Sequence, residues 1–310
     1  MSRGIVLLSL VLIVPACQQS TEQATDTASN TVLADTAPPA PPAPQSLSEG
    51  FSTPESVLYD AEQDVYFVSN INGSPVEKDD NGYISRINAE TLQVESKWID
   101  GSKAEITLSA PKGMAIVGDE LWVTDITSIR KFDRRTGQPR GSTTIPGATF
   151  LNDLASEGMT AYVSDSGLKA EGSGFGPTGT DAIWSVTGNK ATRYARGKDL
   201  NRPNGLAVVN GTVWVVTFGA NELFAIDNGK KGAVTEMPQG GLDGLALLPD
   251  GSVLVSSWEG KAVYRGKPGD TFQAIVENVD SPADIGVDTK RNRLLIPHFM
   301  ENRVTLHTLQ

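Results

Sequence analysis

The sequence predicts an all-β domain of six four-stranded units around a central channel, the architecture called a six-bladed β-propeller. From about residue 49 onward, the chain consists of short alternating runs rich in β-branched and aromatic residues, such as VYFVSN and TVWVVTF. Turns rich in glycine, asparagine and aspartate separate these runs, as expected of antiparallel strands. A motif also recurs about every 40 residues, a period typical of propeller blades. A parallel β-helix, the alternative, has shorter repeats.

Each repeat carries one residue, here called the anchor, directly before a short apolar strand. The repeats read PESVLY, PKGMAI, LNDLA, PNGLAV, LDGLAL and PADIGV. Their anchors are Glu55, Lys112, Asn152, Asn204, Asp243 and Ala283, spaced by 57, 40, 52, 39 and 40 residues. Six anchors predict six blades. Because the last unit has room for only three strands before Gln310, we expect a strand from about residues 46–52 to complete it and close the ring.

Two repeats carry insertions rich in glycine and serine, at residues 70–83 and 164–184. Such loops often form a lid over a binding site, and the alternative is a tolerated excursion at the surface. The second insertion contains GSGFGPTG. This stretch opens no helix, so we interpret it as a loop and not as a nucleotide site.

The N-terminal segment predicts a lipoprotein signal peptide over residues 1–17. Arg3 precedes an apolar run of roughly eleven residues, which is too short to span a bilayer and is typical of a signal-peptide core. It ends in VPAC, which resembles a bacterial lipobox, and Cys17 is the only cysteine of the chain. We therefore expect lipid attachment at Cys17. An ordinary secretory signal cleaved nearby is the alternative.

Residues 18–48 predict a disordered tether, because they are rich in Pro, Ala, Ser and Thr and show no periodic apolar pattern. The propeller is expected over residues 49–310. Gln18 after the lipidated cysteine favours the outer membrane of a bacterial cell envelope, with the domain facing the periplasm. The net charge of −11 argues against nucleic acid as a partner. We expect a monomer that binds a small molecule.

The anchors predict a divalent-cation site. The first strands of propeller blades line the channel in one direction, so equivalent positions form a ring at one end. Four of the six anchors offer carboxylate or amide oxygens, the ligands that calcium prefers, and Asp153 and Asp284 follow two of the anchors. Zinc is disfavoured, since only Cys17, His298 and His307 could serve it. The alternative is a set of polar side chains that solvates a water-filled channel.

The order of Glu55, NDLA, PNGLA and DGLAL resembles the SMP-30/gluconolactonase family of six-bladed propellers over roughly residues 50–310. It is more distantly similar to paraoxonase and strictosidine synthase propellers. The resemblance implies that Glu55, Asn204 and Asp243 bind the metal, and that Asn152 lies beside metal and substrate.

The activity that the resemblance implies is calcium-dependent hydrolysis of a lactone or related ester. The cation would polarise the carbonyl, and a carboxylate, by resemblance Asp243, would activate water. The alternative is a non-catalytic, lipid-anchored propeller that binds a ligand or a protein, since fold alone does not decide function.

Two residues depart from the family pattern and are candidate substrate contacts. Phe150 stands where sugar-lactone members carry an arginine, which favours a more apolar substrate. Lys112 places a cation in the ring, where it would either grip an anionic group of the substrate or, as we expect, form a structural ion pair with Glu55 or Asp284. His298 is predicted to pack in a middle strand of the last blade.

Overall fold

The computed structural model describes residues 43–172 and 174–309. The predicted signal peptide, the lipidation site Cys17 and most of the predicted tether lie outside this range. Among the described residues there is no α-helix, and the one helical turn is a 3-10 helix at Lys198–Leu200. No helix in this part of the chain has the length and apolar character needed to cross a membrane.

Six four-stranded antiparallel sheets confirm the predicted all-β, six-bladed propeller. The first strand, β1 (Gln45–Leu47), belongs to the last blade. Blade one is β2 (Pro54–Asp60), β3 (Val65–Asn70), β4 (Tyr83–Asn88) and β5 (Val94–Asp100). Blade two is β6 (Pro111–Val117), β7 (Glu120–Asp125), β8 (Ser128–Asp133) and β9 (Pro139–Thr144).

Blade three contains an extra hairpin between its second and third strands. Its sheet is β10 (Leu151–Glu157), β11 (Thr160–Asp165), β14 (Ala182–Thr187) and β15 (Lys190–Arg196). The hairpin is β12 (Leu168–Glu171) and β13 (Gly174–Pro177). The stretch GSGFGPTG, interpreted as a loop, contains strand β13 over Gly174–Pro177, and as expected it opens no helix among the described residues.

The remaining three blades follow the same plan. Blade four is β16 (Pro203–Val209), β17 (Thr212–Thr217), β18 (Glu222–Asp227) and β19 (Lys230–Glu236). Blade five is β20 (Leu242–Leu247), β21 (Val253–Ser257), β22 (Ala262–Gly266) and β23 (Gln273–Glu277). Blade six is β24 (Gly286–Asp288), β25 (Arg293–His298) and β26 (Arg303–Thr308), with β1 as its outer strand.

The ring closes as predicted, by an N-terminal strand that completes the last blade. Strand β1 pairs with β26 from Gln45 to Leu47, so the propeller begins at about residue 45 and not at residue 49. Residues 45–47, which the sequence placed in the predicted tether, are therefore part of the last blade. The inner strands of blades one and six are also joined directly, by Val57 N donating to Asp284 O at 3.2 Å and Asp284 N donating to Glu55 O at 2.9 Å.

Apolar side chains fill the space between neighbouring blades. One cluster joins blades two and three around Trp122, Leu154 and Trp184, and similar clusters join the other blades. The alternation of apolar residues along each strand supplies this packing, because successive side chains point to opposite faces of the sheet. The packing holds the six inner strands in a fixed ring.

Every blade is irregular at its anchor. In blade three, Leu151 pairs with Asp165 and Leu154 pairs with Val163, so two residues of β10 oppose a single residue of β11. The same register shift occurs at the anchors of blades one, two, four and five. A β-bulge redirects the side chain of its extra residue. The bulges therefore explain how a strand packed on both faces can also present its anchor to the channel.

Candidate metal and substrate site in the central channel

Five of the six predicted anchors meet in one cavity of about 360 Å³ at one end of the channel. All five are buried and form its polar floor: Glu55, Lys112, Asn152, Asn204 and Asp243. The sixth anchor, Ala283, is also buried but does not line the cavity. The register of the repeats therefore locates the floor of this cavity.

Glu55 and Asp243, here called the cavity pair, each carry an oxygen without a partner. Glu55 Oε2 and Asp243 Oδ1 are buried and accept no hydrogen bond within 3.5 Å from a described residue, although the side chain of Asn204 is near enough to Asp243 to lower the pKa of its carboxyl. The other oxygen of Asp243, Oδ2, accepts a hydrogen bond of 2.7 Å from Trp258 Nε1. A buried, unpaired carboxylate oxygen is costly unless a ligand completes it. The two orphaned oxygens are therefore the atoms of the floor that could receive a cation or a proton.

Burial dominates the titration of the cavity pair. It raises the pKa of Asp243 to about 7, and the nearby charge of Asp153 adds to this effect. Burial also raises the pKa of Glu55 well above its ordinary value, followed by repulsion from Asp243 and Asp284. A divalent cation at the floor would reverse both shifts, since it favours the ionised forms.

The two amide anchors lie in the same floor with their nitrogens engaged. Asn152 Nδ2 donates to Ser166 Oγ at 3.2 Å, and Asn204 Nδ2 donates to Leu242 O at 3.3 Å. Because the nitrogens donate to the protein, the amide oxygens are the atoms left to accept from or coordinate a ligand. This arrangement suits a hard cation.

Lys112 does not form the expected ion pair with Glu55 or Asp284. Among the described residues it has no carboxylate within 4.0 Å, and Nζ instead donates to Pro75 O at 3.1 Å and Ala110 O at 3.0 Å. The ammonium also lies 4.6 Å from the ring centroid of Phe150. Neutral carbonyl dipoles and an aromatic face satisfy the cation here, so the side chain fastens the first insertion to the floor.

Burial lowers the pKa of Lys112 to about 8, although attraction to Glu55 and Asp125 opposes the shift. The residue therefore remains mostly cationic at neutral pH. Two of its three N–H donors are used by the backbone carbonyls. The third is available to a ligand in the cavity, which Lys112 lines.

Asp153 and Asp284, here called the bridging pair, follow their anchors by one residue and serve another purpose. Asp153 accepts hydrogen bonds of 2.6 Å from Leu154 N and from Leu206 N in the next blade. Asp284 Oδ2 accepts a bond of 2.5 Å from Ser56 Oγ across the closure of the ring. Both residues line a different pocket, formed by the following part of the inner strands. They cross-link blades and do not reach the cavity of the anchors.

The glycine after several anchors is required by the close approach of neighbouring inner strands. A Cβ atom on Gly205 would lie 2.2 Å from Asp243 O, and one on Gly113 would lie 2.3 Å from Asp153 Oδ1. No side chain fits at these distances. In the NG and DG pairs of the repeats, the first residue therefore lines the cavity and the glycine lets the neighbouring inner strands approach closely.

The chemistry of the floor fits a hard divalent cation. Two carboxylates and two amides offer oxygen ligands, and the two orphaned oxygens belong to the carboxylates. Within the described residues, no three His, Cys, Asp or Glu side chains group as a metal site. A site built here would therefore depend on the amide oxygens and on further ligands from water or substrate, and not on a cluster of acids.

The wall of the cavity was not predicted, apart from Phe150. It consists of aromatic side chains, here called the aromatic wall: Phe150, Phe175, Phe218, Trp258 and Phe299. Three of them follow the second strand of their blade, 14 to 16 residues after the anchor. That spacing is the signal that sequence reasoning missed, because an aromatic residue at a strand end is easily attributed to the core.

Both insertions contribute to the cavity. The first provides Gly73 and Pro75, and the hairpin of the second provides Leu168 and Phe175. Phe175 packs edge-on against Phe150, with ring centroids 6.0 Å apart. Of the two alternatives, the insertions therefore match a cover over the cavity better than an excursion away from it.

His298 packs as predicted and lies in β25. Its Nδ1 is 2.9 Å from Glu301 Oε2 and its Nε2 is 2.8 Å from Thr305 Oγ1, so both ring nitrogens are engaged. Burial lowers its pKa to about 4. His298 does not line the cavity of the anchors.

The fold and this cavity define the chain as a six-bladed β-propeller with a buried polar floor and an aromatic wall. No protein-family model matches the sequence, and no curated protein sequence matches it. The similarity to known proteins is one of structure.

Solved structures with a similar fold include a gluconolactonase from Xanthomonas campestris, with a TM-score of 0.64, 17% identity and coverage of 86% of this chain and 90% of that one. They also include a streptogramin B lyase, with a TM-score of 0.59, 11% identity and coverage of 86% and 97%. A catalytically inactive variant of virginiamycin B lyase from Staphylococcus aureus, solved with quinupristin, has a TM-score of 0.58, 12% identity and coverage of 86% and 99%. At these identities the likeness establishes the propeller fold.

Proposed function

We propose that the protein is a calcium-dependent hydrolase of a lactone or related ester, similar in plan to the SMP-30/gluconolactonase family. The observation that carries the proposal is the pair of unpartnered, buried oxygens, Glu55 Oε2 and Asp243 Oδ1, at the floor of a cavity that two amides share. The likeness to a gluconolactonase propeller supports it at the level of fold.

In this proposal Glu55, Asn204 and Asp243 hold the cation, with Asn152 beside it. A bound calcium ion would polarise the carbonyl of the ester and stabilise negative charge on its oxygen. Asp243 Oδ1 takes the proton of the attacking water, because Oδ2 is held by the indole N–H of Trp258. The pKa of about 7 is that of Asp243 without a cation, and a bound cation would lower it and favour the ionised carboxylate that accepts this proton.

Asn152 and Lys112 orient the ester. Asn152 is fixed by its bond to Ser166, and the third N–H of Lys112 can donate to a carbonyl or carboxylate oxygen. Both groups are pre-positioned by the protein, so substrate binding would not require them to reorganise.

The test is a panel of lactones and aryl esters offered to the purified full-length protein with calcium, with magnesium, with manganese and with chelator. We expect hydrolysis that chelation abolishes and calcium restores. Glu55→Gln and Asp243→Asn should lose both calcium binding, measured by titration calorimetry, and turnover. Absence of turnover with every metal and every ester would refute the enzyme.

A non-catalytic, ligand-binding propeller is the second candidate. The observation that favours it is Lys112, whose positive charge shares the floor with the candidate metal ligands. In that case a ligand would bind to the cavity without being converted, and calcium affinity would be weak. Calorimetry measures binding of the ligand, and chemical analysis after incubation shows whether the ligand is still intact. Together the two measurements separate the two functions.

We further propose that the protein is attached to the bacterial envelope through lipid on Cys17. The support is the sequence of the first 17 residues, with its apolar run and lipobox-like end. Labelling with a palmitate analogue should mark the wild-type chain and spare Cys17→Ala, and only the wild type should fractionate with outer membranes.

A further inference from the structure

We infer that the cavity takes an apolar ligand, an alkyl- or aryl-substituted lactone or ester, and not a polyhydroxylated sugar lactone. This inference rests on the proposed function and names its substrate class. It follows from the wall of the cavity, whereas the proposed function follows from the floor.

A second ring of equivalent positions lies next to the anchors. In each blade it is the residue directly after the second strand: Ile71, Ile126, Ser166, Phe218, Trp258 and Phe299. The backbone shows that these positions are equivalent, because in five blades the same hydrogen bond joins this residue to the segment just before the anchor. Ile71, Ser166, Phe218, Trp258 and Phe299 donate N–H bonds of 2.9 to 3.1 Å to the residue two places before their anchor.

Five of these six positions are apolar, and the exception is compensated. Ser166 is small, and its backbone partner is Phe150, which supplies the aromatic ring for that blade. Ile126 does not line the cavity but packs with Ile71 and Phe299. The channel is therefore lined by a polar ring at the anchors and by an apolar ring at the positions directly after the second strands.

The aromatic side chains form two contacting groups. Trp258 lies 5.8 Å from Phe218 and 5.2 Å from Phe299, measured between ring centroids. Phe150 and Phe175 make the other group. Tilted and edge-on rings at these distances form a stable apolar surface that receives aliphatic and aromatic groups.

The wall has no polar side chain to offer to sugar hydroxyls. Among the described residues that line the cavity, the polar side chains other than Trp258 are the anchors and Ser166, all at the floor. The indole N–H of Trp258 already donates to Asp243 Oδ2, and the Ser166 hydroxyl donates to Pro203 O, both at 2.7 Å. A sugar lactone would bury several hydroxyl groups without partners, and each unpaired group is penalised.

The cavity therefore matches an amphiphilic molecule. One ester or lactone group would meet the floor, where Lys112 keeps one free N–H, and an apolar remainder would fill the wall. Phe175 is 47% exposed and Met300 is 72% exposed at the rim, so a longer chain would still find apolar surface outside the cavity. The volume of about 360 Å³ lies near the lower end of the range for small-molecule sites.

The test uses the full-length protein in the presence of calcium. It compares the hydrolysis of glucono-lactone with that of γ-lactones that carry unbranched alkyl chains of increasing length. We expect kcat/KM to rise about fourfold for each added CH2 until the wall is filled, the gain expected from burial of that group. The hydroxylated lactone should be the poorest substrate. Equal or better hydrolysis of glucono-lactone would overturn the inference while leaving the proposed hydrolase intact.

Binding of the matching alkyl lactams, which resist hydrolysis, tests the inference without turnover. We expect a change in tryptophan fluorescence and a Kd that falls with chain length. If no ester is hydrolysed but the lactams bind in this way, the proposed function fails and the apolar specificity stands. Lactam binding that does not depend on chain length would overturn it.

A rim variant avoids damage to the fold. Phe175→Ser should reduce the gain in kcat/KM per added CH2 for the longest chains, since Phe175 lies at the exposed edge of the wall. Met159→Ser is the matched control, because Met159 is 64% exposed and does not line the cavity. Equal effects of the two variants would contradict the assignment of the wall.

Discussion

Two pairs of buried acids lie next to one another on the inner strands and differ in what surrounds them. The cavity pair, Glu55 and Asp243, leaves one oxygen of each side chain without a partner. In the bridging pair, Asp153 accepts two backbone N–H bonds and Asp284 accepts a serine hydroxyl. Acidic side chains therefore keep oxygens available to a ligand at the anchors, whereas one residue further along they hold the ring together.

The difference follows from the bulge. Two consecutive residues of an inner strand, the anchor and the residue after it, oppose one residue of the neighbouring strand. The side chains of these two residues therefore lie in different surroundings. At five of six blades the first of the two residues reaches the cavity. The second is a glycine, a serine or a bridging aspartate. We call the anchors the cavity layer and the residues directly after them the bridging layer. Variants in the bridging layer should therefore change stability, and variants in the cavity layer should change ligand binding.

The largest effect is expected from Asp153→Ala. It removes the acceptor of two buried backbone N–H groups, and each unpaired group is costly, so the free energy of unfolding should fall by about 3 kcal/mol. Denaturant unfolding in chelator measures this. Asp243→Ala leaves one side-chain donor, Trp258 Nε1, without its acceptor, so it should lower the same free energy by about 1 kcal/mol, less than Asp153→Ala. The reverse order would contradict the division into two layers.

The next effect concerns calcium. Asp243→Asn should weaken calcium binding about 100-fold or more, because it removes one of only two carboxylates of the floor. Calorimetric titration of the chelator-treated protein checks this. Asp284→Asn is the matched variant, since it neutralises an equally buried acid in the other layer and keeps an oxygen for Ser56. Its calcium affinity should stay within about threefold, and a loss as large as that of Asp243→Asn would place Asp284 among the ligands.

The floor of the cavity could be predicted from the sequence because it depends on register. Strict repetition of the apolar strand identifies the anchors, and equivalent positions on six inner strands must meet in a ring. Glu55, Asn152, Asn204 and Asp243 follow from that symmetry alone. The closing strand followed from counting strands, although it ends at Leu47 and not near residue 52, because a three-residue strand shows no pattern.

The rest depends on features without a period. Lys112 finds its partner Pro75 in an insertion whose path no repeat describes, so charge alone suggested an ion pair that does not form. The second strand of the hairpin contains two glycines, Gly174 and Gly176, and resembles a loop in sequence. The aromatic wall does follow the repeat, yet an apolar residue at a strand end predicts burial equally well. Structure was needed to show that these rings face a cavity.

Acid should distinguish the two layers next through calcium binding, because burial raises the pKa in both layers, to about 6 at Asp153 and well above the ordinary value at Asp284. In the metal-free protein the pKa of Asp243 is raised to about 7, so the folded protein holds this proton more tightly than the unfolded chain does. Its contribution to stability is therefore present at low pH and is lost as the pH rises from about 4 through 7. Calcium must displace the proton, so its affinity should fall about tenfold per unit below pH 7 for each proton released.

Thermal unfolding with and without calcium from pH 5 to pH 8 measures both quantities. The metal-free midpoint should fall as the pH rises, and the increment due to calcium should grow. Lys112, with a pKa of about 8, stays protonated over most of this interval and contributes little to the slope. In Asp243→Asn, the metal-free unfolding midpoint should depend less steeply on pH. An increment that is constant from pH 5 to pH 8 would show that calcium does not bind at the cavity pair.

The smallest effect is expected from Lys112→Met, which removes the positive charge from the floor and keeps the length of the side chain. Calcium affinity should rise about threefold to tenfold, because the ammonium repels a cation held by Glu55. Lys131→Met is a close control. Lys131 is also buried, donates to the backbone at Gly188 O and lies 4.0 Å from the ring centroid of Trp122, but it is remote from the cavity. Both variants should lose similar stability, and only Lys112→Met should alter calcium binding. If calcium affinity instead falls in Lys112→Met alone, the ammonium organises the floor through the first insertion, and the cavity layer depends on its cover as well as on its acids.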